Sequence, residues 1–255
     1  MFIDTHAHLD DAKYSDKSAV VKAYETAGVN VVVNMGCDIK TSKESLALSE
    51  RFNSVYFAVG FHPEYAEEFS EDGLKTLKEL VKHEKCLAIG EIGLDYHYEG
   101  FDREKQGKAF LSQIALANDL GLPVSVHSRD ATADTLELFK GNKELLKNGF
   151  IMHCFSGSKE TAKEYLDLGG YLGFGGTVTF KNSVRVKEVA AYCPIDRLLT
   201  ETDSPYLAPE PKRGTVNLPE NIPIIAGFIA NLRGIGTEEL EIAVEKNAKR
   251  IFKKL

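Results

Sequence analysis

His6 and His8 stand two residues apart directly behind an apolar run, so on an extended chain both side chains point to one face and can share a cation. Alone, such a pair reads equally well as two surface or capping histidines. Other residues stand in the same relation to an apolar run: His62 (followed by Pro63), Glu91, His127, His153 and Asp203, with Glu201 two residues before the last. Five of the seven histidines occupy such positions, which makes a common site the better reading. A buried cluster of imidazoles and carboxylates needs a counter-charge, and a divalent cation supplies one. The six candidate ligands are His6, His8, Glu91, His127, His153 and Asp203. They are too many for one tetrahedral ion with an open position and suit two ions about 4 Å apart, bridged by a carboxylate and a water. Glu91 is the candidate bridge. Two such ions lower the pKa of the shared water, hold a substrate oxygen and stabilise the charge that develops on attack. Asp203 can both ligate and receive the proton of that water. Glu201 faces the same way if the strand stays extended, and then supports the ligands or assists proton transfer; a plain salt bridge is its alternative.

The elements that must position these residues recur along the chain. Short apolar, β-branched runs fall at residues 2–4, 29–35, 55–59, 86–89, 123–126, 150–152, 171–174 and 197–200. Most are continuously apolar, as strands covered on both faces require. Helical periodicity separates them, over 42–52, 73–82, 104–120, 159–168, 184–191, 219–232 and 237–253, and Gly28, Gly121, Gly149 and Gly169 fall between a helical stretch and the next run. Eight β/α units in 255 residues, with no linker or low-complexity tract, predict one α/β domain over 1–255: a (β/α)8 TIM barrel with its metal site at the carboxyl ends of the strands. An open doubly wound sheet is the alternative, because strand order alone does not show closure.

Composition excludes little. The net charge of −7 repels a polyanion, so any hold on nucleic acid must come from local cations or bound metal. Cys37, Cys86, Cys154 and Cys193 lack C-x-x-C spacing and read as reduced thiols. No cationic leader opens the sequence and no apolar window reaches the ~18 residues of a membrane span, so the expectation is a cytoplasmic protein with no membrane partner. The Gly-x-Gly at Gly173–Gly175 lacks the rest of a dinucleotide fingerprint and reads as close backbone packing. Ser156 and Ser204 lack a nucleophile-elbow context.

Taken in order, Gly60-Phe61-His62-Pro63, Gly90-Glu91-Ile92-Gly93-Leu94-Asp95-Tyr96, Pro123-Val124-Ser125-Val126-His127-Ser128-Arg129-Asp130-Ala131, His153-Cys154-Phe155-Ser156-Gly157 and Glu201-Thr202-Asp203-Ser204-Pro205-Tyr206-Leu207 are specific. With them the chain resembles, over nearly its whole length, the TatD family of metal-dependent deoxyribonucleases among the amidohydrolase-like barrels. The resemblance implies a two-metal site, with His6, His8, Glu91 and Asp203 on one ion and Glu91, His127 and His153 on the other. It also implies phosphodiester hydrolysis of DNA, with RNA a further polynucleotide substrate, by exonuclease action from the 3′ end. It places His62, Arg129 and Arg213 around the substrate, where a guanidinium suits phosphate by donating two parallel hydrogen bonds. Where the family often carries Arg-Gly-Lys-Arg-Asn, this chain has Arg213-Gly214-Thr215-Val216-Asn217, which loses two cations and weakens the grip on a polyanion. The same metal barrel in related families hydrolyses amides, lactones and esters, so a small-molecule or aminoacyl-ester hydrolase is the alternative. A non-catalytic binding or scaffold protein is disfavoured, since no candidate ligand position is replaced by an inert residue. The metal, whether Mg, Mn, Zn or iron, stays open at this stage. No partner protein is implied.

Overall fold

In the computed structural model, which describes residues 1–100 and 102–255, all eight apolar runs are strands. They are β1 Phe2–Ala7, β2 Val29–Met35, β3 Val55–Val59, β4 Cys86–Asp95, β5 Val124–Arg129, β6 Phe150–Met152, β7 Tyr171–Phe174 and β8 Leu198–Thr200. Helices alternate with them: α1 Lys17–Thr26, α2 Ile39–Arg51, α3 Glu71–Leu80, α4 Arg103–Leu120, α5 Thr132–Gly141, α6 Lys159–Asp167, α7 Val184–Tyr192 and α8 Ile222–Arg233, and α9 Thr237–Ile251 follows the last. The strands pair in parallel in chain order, as happens when each helix carries the chain back across the sheet face.

Closure decides between the two architectures. Asp203 N–H donates to the His6 carbonyl at 2.9 Å and His8 N–H to the Ser204 carbonyl at 2.7 Å, and Ala7 and Ser204 form a parallel bridge. Lower down, Thr5 Oγ1 donates to the Thr200 carbonyl and Thr200 Oγ1 to that of Ile3, both at 3.1 Å. The first and last strands are joined, the sheet is a TIM barrel, and the open doubly wound alternative falls.

Three strands run further than their apolar runs. β1 continues to Ala7, β4 to Asp95 and β5 to Arg129, so His6, Glu91 and His127 lie within strands and do not follow them. The sequence signal stopped where apolar residues stopped, whereas pairing continues through the polar mouth: Gly93 still faces His127, and Asp95 faces Arg129. The helical stretches named from the sequence leave out α1, which buries Val21 and Tyr24, and α5, which buries Thr135 and Phe139. Gly28, Gly121, Gly149 and Gly169 all have positive φ, as caps before a strand require.

The amino-terminal end of the barrel is stoppered by α9. Asn247 Nδ2 donates to the carbonyls of Ile195 (2.8 Å) and Leu198 (2.9 Å) at the start of β8. Ala248, Ile251 and Phe252 pack with Ile3, Val33, Ile151 and Leu199. A second apolar layer joins the outer faces of the strands to the helices, through Phe57, Phe110, Phe139 and Phe174 among others. With that end filled, the carboxyl ends of the strands are the open face.

Candidate active site

Two of the four left-handed non-glycine residues, among those described, adjoin the cluster. Cys154 (φ +44°) follows His153, and Asp203 (φ +54°) comes three residues after β8. Because the chain turns at Asp203, the extended geometry that would put Glu201 on the same face does not occur. Asp4, fully buried, ties the turn to β1: its Oδ1 accepts from the N–H of Thr202 (2.9 Å) and of His6 (3.2 Å), and its Oδ2 from Thr202 Oγ1 (2.5 Å). Burial pushes its carboxyl up to about 8.

His6, His8, His62, Glu91, His127, His153 and Asp203 converge, and Glu91 is their centre. Its Oε2 lies 3.4 Å from His6 Nε2 and 3.6 Å from His8 Nε2. Those two nitrogens are 3.3 Å apart, and Asp203 Oδ1 is 3.7 and 3.5 Å from them. The other oxygen, Oε1, lies 2.9 Å from both His127 Nδ1 and His153 Nε2, which are 3.4 Å from each other, and 3.6 Å from His62 Nε2. The carboxylate is thus shared between two donor sets, one on each oxygen.

The chemistry of these donors fits a divalent cation. Edges of 3.3–3.7 Å belong to a tetrahedron whose corners lie about 2.1 Å from its centre, the distance at which imidazole nitrogen and carboxylate oxygen bind zinc-like ions. The outer nitrogens of His6, His8 and His127 have hydrogen-bonding partners, as those of metal-ligating histidines do, and that of His153 has a carboxylate near it without a hydrogen bond. Asp95 Oδ2 stands 2.8 Å from His127 Nε2, Glu201 Oε1 3.5 Å from His153 Nδ1, Cys37 Sγ 3.9 Å from His8 Nδ1 and Ser125 Oγ 3.5 Å from His6 Nδ1. His62 is oriented differently: the Glu64 N–H donates to its Nδ1 at 3.2 Å, which leaves the ring proton on Nε2, facing the cluster.

Electrostatics follows the same division. Burial would push the Glu91 carboxyl up, but His153, His62 and His6 hold it well below the usual range. Burial lowers His6, helped by His153, whose ring stacks on it at 3.9 Å between centroids. Burial brings His62 down to about 3, so it is neutral at pH 7. For His8, His127 and His153 burial is outweighed: by Cys37 and Asp203, by Asp95 and Glu91, and by Glu91 and Glu201 respectively, and all three rise. Those protons must leave before a cation binds. Zinc or manganese added to weakly buffered protein at pH 7 is therefore expected to release protons, with affinity increasing as pH rises. A pH-stat titration measures this; binding without release would exclude these imidazoles as ligands.

Glu201 sits behind His153. It is fully buried, its Oε1 accepts from the Cys154 N–H, and Gly173 leaves the space its other oxygen fills, since a Cβ there would overlap Oε2. That is the close packing expected of the Gly-x-Gly. Arg129 and Arg213 stand outside the cluster on the same face, Arg129 stacked 5.3 Å over Tyr98 and Arg213 4.3 Å over Phe180. All four cysteines are free.

Asp95, Cys37 and Ser125 escaped the sequence reading. A signal existed for Asp95: four residues beyond Glu91 on an extended strand, it shares that residue's face. Asp95→Asn is expected to weaken metal binding about 10- to 100-fold, measured by competition with a chromophoric chelator; unchanged affinity would show that the contact to His127 Nε2 does not matter.

Comparison with known proteins agrees with this architecture. A family model described as TatD related DNase matches residues 3–253. The chain is 42% identical to a metal-dependent hydrolase of Bacillus subtilis, YabD, over 99% of both chains. It is 36% identical to the metal-dependent hydrolase YcfH of Escherichia coli, over 98% of this chain and 95% of that one. The crystal structure of YjjV, a TatD homologue from Escherichia coli, superposes with a TM-score of 0.93 at 31% identity, covering 99% and 98% of the two chains.

Proposed function

The chain belongs to the TatD-related DNase family, and from that membership we propose that it is a metal-dependent hydrolase that cuts the phosphodiester bonds of DNA, as a 3′-exonuclease, with two divalent ions. The observation that carries the reading is the division of Glu91, whose Oε2 faces His6 and His8 while Oε1 faces His127 and His153. In this reading His6, His8, Glu91 and Asp203 hold one ion and Glu91, His127 and His153 the other. When bound, the ions supply a lower pKa for the attacking water and positive charge beside the phosphoryl oxygens.

The side chains do the rest. Asp203, held anionic against burial chiefly by His8, takes the proton of the attacking water. His62, neutral and with its proton on Nε2, donates a hydrogen bond to the substrate without adding charge. Asp95 fixes the ring of His127, so the nitrogen facing Glu91 keeps its lone pair, and the Glu201 carboxylate beside His153 Nδ1 favours the same arrangement there. Arg129 and Arg213 meet the flanking phosphates. The cluster is reachable through the side chains of His8, His127 and Asp203, exposed by 12%, 17% and 14%, whereas His6 and Glu91 lie beneath them.

The test is digestion of an end-labelled single-stranded oligonucleotide with magnesium, manganese or zinc. Stepwise shortening from the 3′ end is expected, absent in Asp203→Ala. No cleavage by protein shown to carry metal would redirect the assignment to a small ester or amide.

A further inference from the structure

We propose that Tyr206 is a stacking platform for the base of the nucleotide whose phosphate lies at the imidazole–carboxylate cluster, a proposal that rests on the nuclease reading above. The ring stands at the rim of the cluster, 6.1 Å from the His8 ring between centroids and at 65° to it, within one nucleotide's reach of the donor atoms. It is held in place and left partly open. The hydroxyl donates to Asp11 Oδ2 at 2.8 Å, Lys13 Nζ lies 4.1 Å from the ring centroid, and the residue is still 44% exposed. A fixed, partly solvent-facing aromatic is what an incoming base can use.

The adjoining surface is apolar as well. Leu207 and Val216 are 39% and 48% exposed. Asn217 pins their two segments together, its N–H donating to the Pro205 carbonyl at 3.0 Å and its Nδ2 to that of Tyr206 at 2.7 Å. The chain is acidic, and Arg129 and Arg213 already lie over aromatic rings. Beside the few cations that meet phosphate an uncharged contact adds grip, and every base offers a π-face whatever its identity. Lys13 covers one face of the tyrosine and pairs with the neighbouring phosphate, and the base takes the other. The occupant is an unpaired terminal base, since a base inside a duplex has both faces covered.

Tyr206→Trp adds the only indole to a chain with no tryptophan, and its fluorescence is expected to be quenched when phosphorothioate oligothymidylate binds. Tyr206→Ala is expected to raise KM for an oligonucleotide about tenfold, while Tyr206→Phe, which keeps the ring and loses the bond to Asp11, stays within about twofold of the parent. With an oligonucleotide lacking its terminal base, the parent is expected to lose the same factor and Tyr206→Ala nothing more. Equal losses in the Phe and Ala variants would assign the effect to the hydroxyl and overturn the proposal. An unquenched indole, or an Ala variant that still discriminates the abasic end, would do the same. A parent protein that neither binds nor cuts oligonucleotides overturns the nuclease reading itself; cleavage unaltered by Tyr206→Ala removes only the stacking.

Discussion

Glu91→Gln is expected to leave the barrel folded and to lower hydrolysis by about a thousandfold or more. The amide matches the carboxylate in shape, so packing is preserved, but it can no longer present an anionic oxygen to each donor set. Both sets lose the charge that offsets their imidazoles, and if the site holds two ions as proposed, metal content after dialysis should fall to one or none per chain. Elemental analysis beside rate measurement checks this, with a thermal melt to establish folding. Retention of both ions and a rate near that of the parent would remove Glu91 from the centre of the mechanism.

Gly93→Ala is expected to destabilise the protein by about 4 kcal/mol or more. Gly93 is paired directly with His127 across β4 and β5, at φ +151°, where a side chain is strained. An added Cβ would overlap the His127 carbonyl oxygen and come within 2.8 Å of its carbon and 3.0 Å of its nitrogen. These are backbone atoms, which cannot swing aside as the tip of a side chain can. Relief requires β4 and β5 to part, and His127 moves with them, so metal affinity should fall together with stability. Gly107→Ala is the control: in α4 a Cβ meets nothing within 4 Å, and the helical preference for alanine should stabilise by about 0.5–1 kcal/mol. Urea unfolding of both variants gives the comparison; a Gly93→Ala protein as stable as the parent would show that the two strands are less tightly apposed than they stand here.

Much of the architecture was legible because its causes are local. Continuous apolar runs marked all eight strands, and glycine after a helical stretch marked the turns into β2, β5, β6 and β7. The errors also have local causes. α1 and α5 were not named among the helical stretches, although Asp16 caps α1 by accepting from the N–H of Ser18 and Ala19. β1, β4 and β5 outran their apolar runs because the barrel mouth is lined by polar residues that still pair.

The sequence by itself determined which residues reach the carboxyl ends of the strands: the positions of His6, His8, His62, Glu91, His127, His153 and Asp203 follow from their place along the chain. Only the tertiary structure decided how they meet. The joining of β8 to β1 brings Asp203 beside His6 and His8, and the left-handed turn at Asp203 leaves Glu201 behind His153. The pairing of β4 with β5 brings the Asp95 side chain within reach of His127, and Glu91 is divided between two sets of donors. Each of these is a distance between strands remote in sequence, fixed by closure and register, and neither leaves a trace in the local run of residues.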